Sequence, residues 1–130
     1  MSETVAVVRA SRPNFLVLAR LCAGLGVAVA WHQGEPPALL NTLLVLIGAL
    51  LAHAAVNLLN EYEDFASGLD LISRRTPFSG GSGALPELPS AARQVLLAAF
   101  GTLGLVVAIG LYFLWLRGLP MLVLGAAGVV

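Results

Sequence analysis

The sequence ALLNTLLVLIGALLAHAAVNLL, residues 38–59, runs directly into the polar sequence NEYED, residues 60–64. The apolar stretch is long enough to cross about 30 Å of hydrocarbon as an α-helix. Polar and charged side chains at membrane depth are costly, and they are usually retained for a function. The two stretches together predict a membrane-spanning helix that ends in a polar functional site.

The polar side chains are spaced so that they share one face of that helix. At about 100° per residue, Asn57, Asn60, Glu61 and Asp64 fall within an arc of roughly 100°. His53 lies on the same stripe one turn earlier, where a hydrogen bond to a neighbouring helix is a more ordinary role than metal binding. One face of an apolar helix therefore presents oxygen ligands where the helix leaves the lipid.

Composition places the chain among integral membrane proteins. Only 11% of its 130 residues are charged, against roughly 25% in soluble domains, so the chain lacks the polar surface that water requires. The formal net charge is zero, which gives no reason to expect nucleic acid as a partner. The single cysteine, Cys22, excludes an intrachain disulfide.

Hydropathy predicts an all-α, polytopic bundle of transmembrane helices with three full spans and the start of a fourth. The last apolar segment would reach only about halfway across a bilayer. We therefore expect the chain to be the amino-terminal part of one larger transmembrane domain, with a missing carboxy-terminal half. A loop over residues 61–92 joins the second span to the third. The predicted spans cover about residues 14–32, 38–60, 93–116 and 120–130.

Local signals refine the helix ends. We expect residues 1–12 to form a loose lead on the cytoplasmic side and Pro13 to be the first helical residue after it. Gly68 is typical of a residue that ends a helix. Ser90 is placed to cap the third span, since it directly precedes the next apolar pattern.

The arginines predict the orientation, because basic residues favour the cytoplasmic side of a membrane. The connection over residues 32–37 has neither Lys nor Arg, so the amino terminus and the 61–92 loop are predicted to be cytoplasmic in the cell membrane. A cleaved signal peptide is the alternative for the first span, but Arg20 interrupts its apolar run and further spans follow. The arginines on the cytoplasmic side are Arg9, Arg12, Arg74, Arg75 and Arg93.

The acids and amides at the end of the second span suit the handling of a diphosphate. Mg²⁺ prefers oxygen ligands, binds one or two protein carboxylates, and completes its shell with water and substrate phosphate. Glu61 and Asp64 are the candidate carboxylates, and Asn57 and Asn60 can orient a ligand or a water. Alone, two acids at a cytosolic helix end are ordinary surface residues.

The following loop adds groups that bind anions. Arg74 and Arg75 can meet phosphate oxygens in bidentate fashion, and the run Ser-Gly-Gly-Ser-Gly that begins at Ser79 offers backbone N–H groups for an anion nest. Each has an ordinary alternative, because an arginine pair also follows from membrane topology and a Gly-Ser run is often a flexible linker. The run is not a nucleotide P-loop, since it lacks Gly-Lys-Ser/Thr.

These residues resemble the UbiA superfamily of membrane prenyltransferases, in particular the branch of 1,4-dihydroxy-2-naphthoate prenyltransferases of menaquinone synthesis. The resemblance covers nearly the whole chain. It includes the opening Arg-Pro-x-Phe-Leu at Arg12 and the run Arg-Thr-Pro-Phe-Ser-Gly-Gly-Ser-Gly at Arg75. Its specificity comes from the combination of that run with an acidic motif, and either alone would be less specific. The acidic motif is made of Asn57, Asn60, Glu61, Asp64, Gly68 and Asp70.

The resemblance implies a bundle of about nine transmembrane helices in which two acidic motifs hold Mg²⁺ against a prenyl diphosphate. Here Glu61, Asp64 and Asp70 would bind the metal, and Glu61 and Asp64 would be catalytic. Two departures from the family pattern stand out. Glu61 replaces the usual aspartate, and no second acidic motif occurs in these 130 residues. The remaining implied contacts to substrate are Asn57, Asn60, Arg74, Arg75 and Ser79.

The resulting hypothesis is Mg²⁺-dependent transfer of an isoprenyl group from its diphosphate to an aromatic or quinone-precursor acceptor. Mg²⁺ would neutralise the departing diphosphate, and the apolar helices and membrane lipid would accommodate the prenyl tail. The alternative is a truncated, non-catalytic membrane protein or one half of a split enzyme. An ion carrier is less consistent with the sequence, since carriers usually bind their ions near the bilayer midplane.

Overall fold

The computed structural model describes residues 1–72 and 81–127, so the predicted sites Arg74, Arg75 and Ser79 lie outside the described residues. Both described ranges are helical, with no β-strand in either. Two short 3₁₀ turns, Pro13–Phe15 and Pro89–Ala91, lead into the long helices α2 and α6. The helices are α1 (Glu3–Ala10), α2 (Leu16–His32), α3 (Leu39–Ala66), α4 (Leu69–Ile72), α5 (Ala84–Glu87), α6 (Ala92–Arg117) and α7 (Pro120–Ala127).

Within these ranges, three helical stretches are long and apolar enough to cross a membrane. They are Glu3–His32, which includes α1 and α2, together with Leu39–Ala66 and Pro89–Arg117. Each exceeds the roughly 20 residues that span the hydrocarbon at 1.5 Å per residue. The prediction of an all-α membrane bundle with three spans is therefore confirmed.

Helix α3 lies at the centre of the bundle and packs against α6 and α2. Helices α3 and α6 are antiparallel, because Tyr112 near the end of α6 donates a hydrogen bond of 3.0 Å to Asn41 near the start of α3. Further along the same pair, the missing side chain of Gly48 leaves room for Ile109, whose Cγ2 would lie 3.4 Å from an added Cβ. Small residues that let helices approach closely are typical of membrane interfaces.

Most large apolar side chains on the long helices point away from the bundle. Leu25, Leu111 and Trp115 expose 67%, 59% and 82% of their surface. An apolar surface of this extent would cause aggregation in water, whereas lipid tails solvate it at no such cost. The outward-facing side chains therefore support a membrane environment for α2, α3 and α6.

The buried core lies at one end of the bundle rather than at its middle. Helix α1 and helix α5 cover the end of α3 and the start of α6 there. The expectation of a loose lead over residues 1–12 is wrong, because Ala6 and Ala10 place one face of α1 against this core. The core residues are Ala6, Ala10, Leu58, Ala84, Leu85, Ala91, Val95 and Ala99.

Two of the three predicted helix signals are confirmed. Pro13 begins the 3₁₀ turn that leads into α2, and Gly68 adopts a left-handed φ of +76° directly after Ser67, the last cap residue of α3. The prediction for Ser90 is wrong. Since the 3₁₀ turn Pro89–Ala91 feeds straight into α6, the cap position falls on Ala91 and no side chain caps the helix.

We predict that Gly48→Leu destabilises the protein while Gly104→Leu does not. A leucine at position 48 would overlap Ile109, and such overpacking costs about 1–3 kcal/mol, whereas an added Cβ at Gly104 meets no atom within 4 Å. Thermal unfolding of the detergent-solubilised variants, followed by circular dichroism, measures the difference. Equal midpoints for the two variants would refute the close approach of α3 and α6.

Candidate functional site

The polar end of α3 is enclosed by segments that are far apart in the sequence. The chain turns at Gly68, which has a left-handed φ, and α4 follows next to the end of α3. The turn over residues 81–83 and helix α5 approach the same end, and α1 contacts both α3 and α5. The site therefore requires the amino terminus, the end of the second span and the close of the long loop to come together.

Glu61 is the centre of this arrangement and has no exposed surface. Its Oε2 accepts a hydrogen bond of 2.8 Å from the backbone N–H of Ser82, and its Oε1 accepts one of 2.5 Å from the Ser82 hydroxyl. The same hydroxyl oxygen accepts a 3.1 Å bond from the N–H of Ala84 at the start of α5. A buried carboxylate is stable only when such donors replace water, so Ser82 is an essential part of its environment.

Arg12 supplies the positive charge beside Glu61, with Nη2 3.4 Å from Oε2. It adopts a left-handed backbone conformation, with φ 51° and ψ 67°, that costs roughly 1–2 kcal/mol for a residue other than glycine. The preceding residue is held in place, since the side-chain amide of Asn57 donates 2.9 Å to the carbonyl of Ser11. This hydrogen bond ties the turn that carries Arg12 to α3.

Asp70 lies beneath the turn over residues 81–83 and exposes 6% of its surface. The backbone of Gly81 covers its carboxylate so closely that an added Cβ would clash with Oδ1 and lie 2.9 Å from Cγ. Only glycine allows a backbone to approach another group at this distance. The two buried acids, Glu61 and Asp70, are thus both covered by residues 81 and 82.

The predicted polar stripe divides into two columns about 60° apart on the helix. Asn57 and Glu61, one turn apart, face inward and are buried. Asn60 and Asp64, also one turn apart, form the open column, in which Asn60 is exposed and Asp64 is half-buried. The open column is the part of the motif that a ligand can reach directly.

The described residues contain no group of three or more His, Cys, Asp or Glu side chains that could hold a metal ion. The set Glu61, Asp64 and Asp70 is therefore not assembled as one centre, and its role in metal binding stays a prediction. The open column still fits Mg²⁺, which accepts as few as one protein carboxylate when water and phosphate complete its shell. Asp64 would supply that carboxylate and Asn60 a neighbouring carbonyl oxygen.

Helix α1 is fastened to the site by polar contacts at its outer face. Arg9 forms a bidentate ion pair with Glu87 of α5, at 2.5 and 2.8 Å, and Glu3 accepts a 2.8 Å hydrogen bond from Gln94 of α6. The ion pair is about half exposed, so it adds at most about 1 kcal/mol. The ion pair therefore contributes more to the orientation of α1 than to the free energy of folding.

Sequence reasoning found Glu61 and Asp70 but missed the residues that surround them. Arg12 and Ser82 were noted only as parts of longer motifs, and the Gly-Ser run was expected to hold a ligand rather than the side chain of Glu61. A usable signal existed, since a carboxylate next to a membrane helix needs a compensating partner. Periodicity could not say which of the seven arginines supplies it.

Comparison with known proteins gives one informative likeness. The chain is 39% identical over 80 residues to a protein named 1,4-dihydroxy-2-naphthoate octaprenyltransferase from Escherichia coli (strain K12). The match covers 62% of this chain and 26% of that protein, so the chain spans about a quarter of the length of the relative. No family model matches the sequence, and no solved structure matches it.

We predict that Gly81→Ala destabilises the protein and that Asp70→Ala removes most of that loss. The added methyl group would press on the Asp70 carboxylate, at a cost of about 1–3 kcal/mol for overpacking. A double-mutant cycle on the free energy of unfolding measures the coupling between the two positions. Additive effects of the two substitutions would show that the Gly81 backbone does not lie against Asp70.

Proposed function

We propose that the complete protein is a Mg²⁺-dependent membrane prenyltransferase. It transfers an isoprenyl group from a prenyl diphosphate to an aromatic or quinone-precursor acceptor, in a pathway of the menaquinone type. This chain contributes the first half of the diphosphate site, and residues outside the chain contribute the second. The proposal also places the chain in the 1,4-dihydroxy-2-naphthoate prenyltransferase branch of the UbiA superfamily.

The observation that carries the proposal is the open column of Asn60 and Asp64 at the end of a membrane helix. It lies in a chain that is 39% identical over 80 residues to a protein named as an octaprenyltransferase. A carboxylate and an amide one turn apart suit a hard cation bound to a diphosphate. Their place at the edge of an apolar bundle suits a substrate with a polar head and a hydrocarbon tail.

The residues of this chain have separate tasks in the proposed reaction. Bound Mg²⁺ would supply charge neutralisation for the diphosphate leaving group. Asp64 and Asn60 hold and orient the polar head, with Arg74, Arg75 and Ser79 of the long loop as proposed further donors to it. The apolar faces of the helices bind the tail and exclude water, which protects a reactive prenyl group from hydrolysis.

A second candidate is a membrane protein without catalytic activity, or one half of a split enzyme. It is favoured by the number of acidic motifs, because no second acidic motif occurs in these 130 residues. The two candidates differ in one measurable property. An isolated chain without activity that becomes active when a second polypeptide is added is a split enzyme, whereas the first proposal requires one continuous protein.

We predict that Asp64→Asn abolishes prenyl transfer while Glu63→Gln does not. Asp64 belongs to the open column, whereas Glu63 is exposed next to it on a different face of the same helix end. The rate of transfer should fall by at least about 100-fold. Replacing a residue that only supports a metal ligand costs up to about 100-fold, and a direct ligand should matter at least as much. The assay uses membranes containing the full-length gene product, labelled prenyl diphosphate, 1,4-dihydroxy-2-naphthoate and Mg²⁺.

Undiminished transfer by Asp64→Asn would rule out the proposed site. Equal losses in the two variants would indicate a general effect of charge at the helix end rather than a specific ligand. Replacing the acceptor with a panel of other aromatic compounds tests the proposed branch separately from the reaction class.

We predict that the site faces the cytoplasm. In a Cys22→Ser background, a cysteine at the exposed position Ser67 should react with a membrane-impermeant maleimide only when the cytoplasmic face is open to the reagent. A cysteine at the exposed position Gln33, in the connection before α3, should react from the opposite side. The reverse pattern would contradict the orientation that the arginines predict.

A further inference from the structure

Both oxygens of the Glu61 carboxylate accept hydrogen bonds from the protein itself. Oε1 accepts from the Ser82 hydroxyl, while Oε2 accepts from the Ser82 N–H and lies 3.4 Å from Nη2 of Arg12. The side chain is fully buried. A carboxylate has about four lone-pair sites, and those of Glu61 that do not face protein donors are still enclosed, so an ion could reach them only if the covering turn moved and left its donors unpaired.

We infer that Glu61 is a positioning residue that fastens the turn over residues 81–83 onto α3, and that it is not a metal ligand. The inference rests on the proposed function only in the claim that the turn belongs to a prenyl diphosphate site. The fastening itself is a property of the folded chain and needs no metal or substrate.

The turn is suited to this fastening because Ser82 lies between two glycines with special backbone requirements. Gly81 lies against the Asp70 carboxylate, where an added Cβ would clash. Gly83 has a left-handed φ of +75° at the residue before α5. Neither glycine has a side chain that could hold the turn, so among residues 81–83 it is Ser82 whose side chain bonds to α3, through Glu61.

Arg12 compensates the negative charge of the buried Glu61 carboxylate. A carboxylate transferred from water to a protein interior is unfavourable unless it is paired, and Arg12 approaches it from the strained turn after α1. Glu61 therefore joins three parts of the chain, namely the turn at Arg12, the end of α3 and the turn at Ser82. Its extra methylene relative to aspartate extends its reach from the helix towards Ser82.

The arrangement also determines where Asp70 is held. Because residue 81 is adjacent to Ser82, a shift of the turn away from Glu61 also lifts the backbone that covers Asp70. Glu61 thereby acts on the neighbouring acid through the turn and not through a shared ion. This is a positioning role in the proposed site.

The test measures release of the turn in metal-free buffer containing EDTA. In a Cys22→Ser background, Ala84→Cys places a buried reporter at the start of α5, and Ala91→Cys places a second buried reporter before α6. Glu61→Gln and Ser82→Ala should each raise the rate of maleimide labelling at position 84 by at least about tenfold, which is the effect of a tenfold more populated open state. Labelling at position 91 should stay at the rate of the parent protein.

Glu63→Gln is the matched control, since it removes a carboxylate from the same helix end at an exposed position, and it should leave both rates unchanged. The double variant Glu61→Gln with Ser82→Ala should label at position 84 more slowly than the product of the two single effects predicts, because both substitutions act on the hydrogen bond between these two side chains. No increase at position 84 in Glu61→Gln would overturn the inference. Equal increases at both reporters would also overturn it, because they indicate a general loss of stability.

A second measurement addresses the metal directly, with Mn²⁺ as the spectroscopic probe and inorganic diphosphate as the anion. Electron paramagnetic resonance should show weakened Mn²⁺ binding for both Glu61→Gln and Ser82→Ala, by factors that differ less than about tenfold, because both loosen the turn. A loss about tenfold larger in Glu61→Gln than in Ser82→Ala would identify Glu61 as a ligand and overturn the inference. Failure of the parent protein to bind Mn²⁺ would count against the proposed function, while the labelling result still decides the role of Glu61.

Discussion

The structure depends on the burial of one carboxylate. Glu61 has no exposed surface, and a charge removed from water has to be compensated by donors that the protein holds in place. Those donors come from residues 12 and 82, which lie 49 and 21 positions away in the sequence. Because both must reach the same side chain, the amino-terminal turn and the close of the long loop are required to meet at the end of α3.

This constraint explains why the specific contacts concentrate at one end of the bundle. Between the long helices the contacts are largely apolar, and lipid competes with them on equal terms, so they give little directional information. At the end of α3 the contacts are hydrogen bonds and ion pairs with defined geometry. Glu61, Asn57 and Asp70 each lie against backbone or side-chain groups of another segment. The membrane-spanning helices supply the surface on which the other segments pack, and the polar contacts at the end of α3 determine where those segments lie.

The membrane part could be predicted from the sequence because length and hydropathy are sufficient for a helix in lipid. Helix α1 could not be predicted in this way, because eight residues do not form a stable helix alone. It is stabilised by tertiary packing, which places Ala6 and Ala10 against α5 and α6. The polar stripe was also predictable, but its division was not. Helical period places Asn57 and Asn60 on one broad face, and only the neighbouring segments decide that the first is buried and the second exposed.

The contacts of Glu61 also bear on why the proposed substrate would need a divalent cation. Arg12 is engaged by Glu61 and Arg9 by Glu87, so two basic side chains near the site already balance acids of the protein. A diphosphate brought next to Asp64 would then meet a like charge, and like charges at close range disfavour one another unless a cation lies between them. An oxygen-preferring divalent ion would turn this repulsion into a shared attraction. Because Arg9 and Arg12 are paired with acids of the protein, they do not neutralise the charge at Asp64, and a divalent ion would do so instead.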